Sequence, residues 1–360
     1  AIKYLSGKRL QGTAAERTAL NFSSPPQTSW KELGRTTLSG TADDITVSSL
    51  PAKDNIMVLG HIIPSGVLNN IMRLGYGSVD TGSNYAGRYS ENGGTDGTDT
   101  SATYMVDDRS AEANDQFWVS NISNIANQEK LAITDICKRG TAGAGNTPER
   151  VENVGKWTNT SNVLDTFSLH NSGGGDMASG SEIVILGCDN DEADSGTNFW
   201  QELSSTVLTA THSGALTIPQ FTTKKYLMIR YYINASTDCT WKVGTGGSID
   251  SGANQYYSRY SNNGGGDSTL SYTSFLQHNP IVQGEVFIIN KSDKEKLMIQ
   301  HEVGQNQGSG AGGSGAGNVP NRREDVGKWA NTSGQIDTLQ YNKSGVSFYA
   351  GTTIKVYGAD

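Results

Sequence analysis

The sequence predicts an all-β protein: two tandem β-sandwich domains, jelly-roll-like, arising from an internal duplication and preceded by an extended N-terminal arm. Three observations predict this. Short alternating segments rich in β-branched and aromatic residues recur along the 360 residues, glycine- and asparagine-rich turns separate them, and the second half repeats the first. The composition agrees, with 44 Gly against 8 Pro and only 18% charged residues. Disorder would explain so polar a chain, but 15 Tyr, 8 Phe and 6 Trp fall inside the alternating segments.

The duplication keeps its register throughout. "SWKEL" at 29–33 matches "FWQEL" at 199–203, and "NIMVLGHII" at 55–63 follows the pattern of "KYLMIRYYI" at 225–233. "VDTGSNYAGRYSENGG" at 79–94 answers "IDSGANQYYSRYSNNGG" at 249–265, and "QEKLAI" at 128–133 answers "KEKLMI" at 294–299. "GAGNTPERVENVGKWTNTSNVLDT" at 143–166 recurs as "GAGNVPNRREDVGKWANTSGQIDT" at 315–338. This organises the chain as an arm at 1–29, one domain at 30–189, an acidic linker at 190–198 and a second domain at 199–360. So long a repeat buries its own core, unlike a solenoid unit.

Within the first copy, strands are expected at 45–50, 55–63, 70–76, 84–90, 101–106, 117–126, 130–138, 163–171 and 182–188. Eight or nine short strands per copy suit a sandwich. The one helix-length window, "TPERVENVGKW" at 147–157, has Gly155 near its end and is expected to make a single helical turn or two.

Charge and motifs exclude several functions. A net charge of −8 without a basic cluster removes the main source of nucleic-acid affinity. No run of 18 apolar residues is present for a membrane-spanning helix, and "AIKYLSGKRL" holds no apolar signal core. Cys137, Cys188 and Cys239 show no metal spacing, and a disulfide framework is not expected of three cysteines in so long a chain. His61, His170, His212, His278 and His301 do not coincide between copies. "GTAGAGN" at 140–146 places Asn146 where a phosphate loop needs lysine.

Some candidates remain. The carboxylate pairs Asp80/Asp250, Glu129/Glu295 and Asp165/Asp337 repeat, but turn capping or surface charge explains them without catalysis. "DNDEADSG" at 189–196 resembles a calcium loop through Asp189, Asp191 and Asp194, although Ala193 and Trp200 occupy ligand positions. Tyr85, Tyr89, Tyr256 and Tyr260 offer a sugar-stacking face, against the alternative of cross-strand packing. In "VGKWTNTS" (154–161) and "VGKWANTS" (326–333), Trp157 and Trp329 are expected as core anchors. Gly155 and Gly327 are expected to free the turn into the next strand, and Asn159 and Asn331 to satisfy loop backbone groups. Seven Asn-x-Ser/Thr sequons include Asn290. No enzymatic activity and no cofactor are expected.

The arm has no counterpart in the second copy and is a candidate for docking on a neighbouring subunit. The phrases "AIKYLSGKRLQGTAAERTAL", "WKELGRTTL", "GTAGAGN" and "GKWANTS" resemble β-rich proteins of marine viruses, virion components of the head-decoration, fibre or coat type. The resemblance spans nearly the whole chain and implies a structural role at a virion surface or in another extracellular assembly. It brings no catalytic residues. The expected partners are copies of the chain itself, other particle proteins and host-surface glycans, with no nucleic acid and no membrane insertion. Alternatives are a cell-surface or filament-forming adhesin and a tandem carbohydrate-binding module.

Overall fold

The computed structural model describes residues 30–109, 111–143, 145–189, 198–272, 274–276, 280–305 and 319–360. The arm and most of the 190–198 linker lie outside these. Among the described residues the protein is all-β, without a helix. It forms two compact units, the first running to Ser90 and including Asp96–Ile136 and Val151–Gln201. The second comprises Glu91–Thr95, Cys137–Arg150 and Glu202–Asp360.

The first copy holds β1 (Lys31–Thr37), β2 (Asp44–Val47), β3 (Asn55–Ile62), β4 (Asn70–Tyr76), β5 (Ser78–Val79) and β6 (Tyr85–Glu91). It continues with β7 (Gly97–Ala102), β8 (Val106–Asp107), β9 (Gln116–Ser123), β10 (Lys130–Lys138), β11 (Glu149–Trp157), β12 (Thr166–Asn171) and β13 (Glu182–Cys188). The second holds β14 (Gln201–Val207), β15 (His212–Ser213), β16 (Leu216–Ile218), β17 (Tyr226–Asn234), β18 (Thr240–Thr245), β19 (Ser248–Ile249) and β20 (Tyr256–Asn262). Then follow β21 (Ser268–Tyr272), β22 (Phe275–Leu276), β23 (Ile281–Ile289), β24 (Lys296–Gly304), β25 (Asn321–Trp329), β26 (Thr338–Asn342), β27 (Ser347–Phe348) and β28 (Thr353–Ala359).

Each copy makes the same pair of antiparallel sheets. The larger has the order β1-β13-β3-β9-β10-β11-β6-β7, repeated as β14-β28-β17-β23-β24-β25-β20-β21. The smaller has the order β2-β12-β4-β5 with β8 beside β4, repeated as β16-β26-β18-β19 with β22 beside β18. In the first copy Ile56, Val58, Trp118 and Ile136 of the larger sheet meet Met72, Leu74, Phe167 and Leu169 of the smaller. In the second, Leu227, Ile229, Val286 and Met298 meet Trp241, Val243, Leu339 and Tyr341. Both are β-sandwiches, closed because strand alternation gives each sheet one apolar face to bury.

Three segments differ from the sequence expectation. The window at 147–157 is not helical but forms β11, with Val151, Asn153, Gly155 and Trp157 buried on alternate positions. Its period of two, masked by charged neighbours, decides the conformation once β10 and β6 flank it. β1 was not anticipated, because "KELGRTT" lacks apolar alternation; as an edge strand pairing β13 it is only half-buried. The strand expected at 101–106 is a junction, with β7 ending in the larger sheet and β8 starting in the smaller.

Candidate functional site

The phrase repeated at 154 and 326 closes β11 and β25 and opens the following loop. Trp157 and Trp329 are fully buried, as expected of core anchors. Their indole Nε1 groups donate to Asp80 Oδ2 at 2.8 Å and Asp250 Oδ2 at 2.9 Å. Each aspartate also caps its own turn, accepting from Gly82 N and Gly252 N, both at 2.8 Å. Burial opposes the charge on Asp80, but hydrogen bonds from Trp157, Gly82 and Asn84 outweigh it and hold this carboxyl below its ordinary pKa.

A tyrosine completes the clasp. The Tyr85 hydroxyl lies 2.8 Å from Leu74 O and 2.9 Å from Asp80 O, and that of Tyr256 lies 2.8 Å from both Val243 O and Asp250 O. Both rings are buried, and burial pushes both phenols far above their ordinary pKa. Tyr85 and Tyr256 therefore cannot stack on a sugar, which corrects the glycan-face expectation for them. Tyr89 and Tyr260 are half-buried, with the Arg109 and Arg323 guanidiniums 3.2 and 4.1 Å from their ring centroids. One ring face of each is taken.

The glycines have another role than a turn. Gly155 and Gly327 sit within strands, and neither has a positive φ. A Cβ on Gly155 would lie 2.5 Å from the Met105 carbonyl oxygen, and one on Gly327 would lie 2.9 Å from Phe275 Cε1. They are needed for close approach to the segment crossing between sheets. Asn159 and Asn331 do satisfy their loops: Asn159 Oδ1 accepts from Ser161 N at 2.9 Å, and Asn331 Oδ1 from Ser333 N at 2.8 Å.

Two duplicated pairs escaped the sequence reading. Lys130 is fully buried, and its Nζ donates to Ile125 O, Gln128 O and Asn159 O at 3.1, 2.6 and 3.2 Å. Lys296 does the same to Ser292 O, Lys294 O and Asn331 O. Burial brings the Lys296 pKa down to about 8. Asn124 and Asn290, both buried, accept from Leu164 N and Ile336 N at 2.7 Å. The sequon at Asn290 is thus inaccessible in the folded protein. Their signal was the fixed distance of each asparagine and lysine around "QEKL" and "KEKL".

The remaining candidates also serve the scaffold. Asp165 and Asp337 accept from Gly77 N at 2.8 Å and Gly247 N at 3.1 Å, while Glu129 pairs with Lys156 at 3.0 Å. Asp189 pairs with Lys53 at 2.8 Å and accepts from Asp54 N at 3.1 Å. Its counterpart Asp360 pairs with Lys224 at 2.6 Å and accepts from Lys225 N. Asp189 therefore ties the end of β13 to the segment entering β3; the other residues of the expected calcium loop, Asp191 and Asp194, lie outside the described residues. His170 meets Asp44 at 2.9 Å. Among the described residues no three metal-ligating side chains cluster, and buried Cys137, Cys188 and Cys239 form no disulfide.

Recessed surface lies on the outer faces of the larger sheets. In the first unit a groove of about 730 Å³ is floored by Leu131, Ile133 and Val154 and rimmed by Arg88, Asp99 and Lys156. In the second a cleft of about 630 Å³ is lined by Arg230, Tyr232, Glu285, His301, Val303 and Lys355. The first is apolar. The second carries ion pairs such as Arg230–Glu285 at 2.7 Å.

No protein-family profile matches the sequence, and no curated protein sequence matches it. Among solved structures the chain is similar to mouse laminin alpha1 chain domains LG4-5, with 11% identity, 89% of each chain covered and a TM-score of 0.20. It is also similar to the LG1-3 region of the laminin alpha2 chain, with 9% identity, 88% of this chain and 64% of that one covered, and a TM-score of 0.20. At those scores neither likeness bears on function.

Proposed function

We propose that the chain is a non-enzymatic structural protein of a virus particle, displayed at the virion surface, that self-associates through its N-terminal arm and sheet edges. The observation that carries the reading is the use made of the duplicated polar residues. Asp80/Asp250, Asp165/Asp337 and Lys130/Lys296 tie loops and turns to the strands in both copies, and Asn159/Asn331 brace the loop after the tryptophan. The repeat preserves a scaffold, not a set of reacting groups. The viral assignment itself rests on the resemblance of "GTAGAGN" and "GKWANTS" to virion components.

Electron microscopy and sedimentation of the full chain test this reading. Ordered multi-subunit particles, fibres or sheets are expected, and removal of residues 1–29 should abolish them. A single species of 38.4 kDa at all concentrations would overturn the reading. Glycan-array binding lost with Tyr232→Ala, in the charged cleft, would favour the carbohydrate-binding alternative.

A further inference from the structure

The outer face of the larger sheet occurs twice and is found in two states. In the second unit Leu297, Ile299 and Val326 point away from the sandwich core, yet are only 1, 2 and 1% exposed. Cys137–Arg150, part of the same unit, is bonded across that face. The Cys137 thiol donates to Gly327 O at 3.7 Å, and Lys328 Nζ donates to Thr141 O at 2.8 Å. Gly143 N donates to Glu295 Oε1 at 2.8 Å, and Arg259 Nε to Pro148 O at 2.9 Å. A buried ion pair closes the edge, Arg150 to Asp267 at 2.6 Å.

In the first unit the same repeat positions are Leu131, Ile133 and Val154, and they are 56, 59 and 48% exposed. They floor the 730 Å³ groove. The polar partners are all present: Lys156 stands for Lys328, Glu129 for Glu295, Arg88 for Arg259 and Asp96 for Asp267. The covering segment has its counterpart too, at the end of β24 and the start of β25. There Val303 stands for Cys137, Pro320 for Pro148 and Arg322 for Arg150. Cys137 and Arg150 are buried, whereas Val303 is 45% exposed, Val319 ahead of β25 77%, and the side chain of Arg322, which pairs with Val303 across the strands, 61%. Both halves of one interaction are thus displayed without each other, as exposed apolar surface of matching position and charge.

We infer that the outer face of the first unit is a socket for the β24–β25 end of a second copy of this chain. The inference rests on the self-association proposed above and names its surface. Leu131, Ile133 and Val154 receive the apolar strand ends, and Arg322 of the partner subunit meets Asp96 as Arg150 meets Asp267. Asp96 now pairs only loosely with Arg88, at 3.4 Å with both side chains more than half exposed. Socket and plug lie on different parts of the chain, so the contact is heterologous and propagates into a ring or filament.

Charge exchange tests this in the full chain, by sedimentation velocity. Asp96→Arg alone sets Arg322 against an arginine, and Arg322→Asp alone sets an aspartate against Asp96. Each variant by itself should associate at least about tenfold more weakly than wild type. An equimolar mixture should recover wild-type association, because each plug then faces an opposite charge. Ile133→Lys should weaken association without being rescued by either partner. Wild-type monomer at every concentration would overturn the self-association reading and this inference with it. Wild-type assembly that both charge variants retain, or that the mixture fails to recover, would overturn the socket alone and leave association to the arm and sheet edges.

Discussion

The two copies have one architecture and two surfaces. Their cores share the same anchors: Trp157 and Trp329 bond equivalent aspartates, Tyr85 and Tyr256 equivalent carbonyls, and Lys130 and Lys296 equivalent loop oxygens. Their outer sheet faces are not. Lys156 and Glu129 form a half-exposed pair, whereas Lys328 and Glu295 are buried and lie 3.5 Å apart. Interior positions answer to the sandwich and diverge little in environment; outer positions answer to whatever packs on them. Duplication therefore conserves a fold while leaving one copy of a surface covered and the other exposed.

The largest effects should fall where the copies agree. Trp157→Ala and Trp329→Ala should each cost about 3–5 kcal/mol of stability, because each leaves a cavity and an unmet aspartate. Chemical denaturation followed by fluorescence would check this, and a cost confined to one copy would break the equivalence. The outer faces should then separate the copies. Leu297→Ala should cost about 2–4 kcal/mol, and Leu131→Ala less than about 0.5 kcal/mol in the unassembled chain. Equal costs in the same denaturation assay would remove the contrast.

The glycines give a finer difference. Gly155→Ala brings a Cβ against a backbone oxygen at 2.5 Å, whereas Gly327→Ala meets the side chains of Phe275 and Met298 at 2.9 and 3.0 Å. We expect about 2–3 kcal/mol for the first and about 1 kcal/mol for the second, since side chains yield more readily than a strand.

The smallest effect concerns a core position where the copies differ, Arg323 and Asp325 replacing Val151 and Asn153. Burial raises the Asp325 pKa to about 6 in spite of Arg323 beside it. A carboxyl raised in the folded state takes up a proton on folding. Its contribution is full below the ordinary value of 3.8 and is lost as pH rises through about 6. The stability of wild type relative to the double variant Arg323→Val, Asp325→Asn should therefore fall between pH 4 and 7. The double variant itself should be neutral or stabilising, since a buried ion pair is replaced by the residues the first copy uses. Thermal unfolding across that pH range would measure it.

Much of the fold was legible in the sequence because it is written in local pattern. The strands at 55–62, 70–76, 130–138 and 182–188 stand within a residue or so of where alternation put them. The buried tryptophans and the loop-capping asparagines were also legible, from their repetition. β11 was not, since charged residues on its outer face obscured its alternation until neighbouring strands imposed it. Lys130 was not legible, because a lysine reads as surface unless the three carbonyls around it are known. Tyr85 stays open in the sequence between a glycan face and packing, because repetition marks a residue as needed without saying on which face it is needed.

By itself, then, the sequence determined the all-β class, the duplication, most strand positions and the residues kept in both copies. These follow from periodicity and repetition, which are local properties of the chain. Only the tertiary structure decided that Asp80 belongs to Trp157, that Asp189 belongs to Lys53, and that "KLAI" leaves its leucine in solvent while "KLMI" buries it. Those outcomes depend on which distant segment arrives against a face. No alternation within a strand carries that information, because an apolar residue reads the same whether its cover comes from its own chain or from another copy.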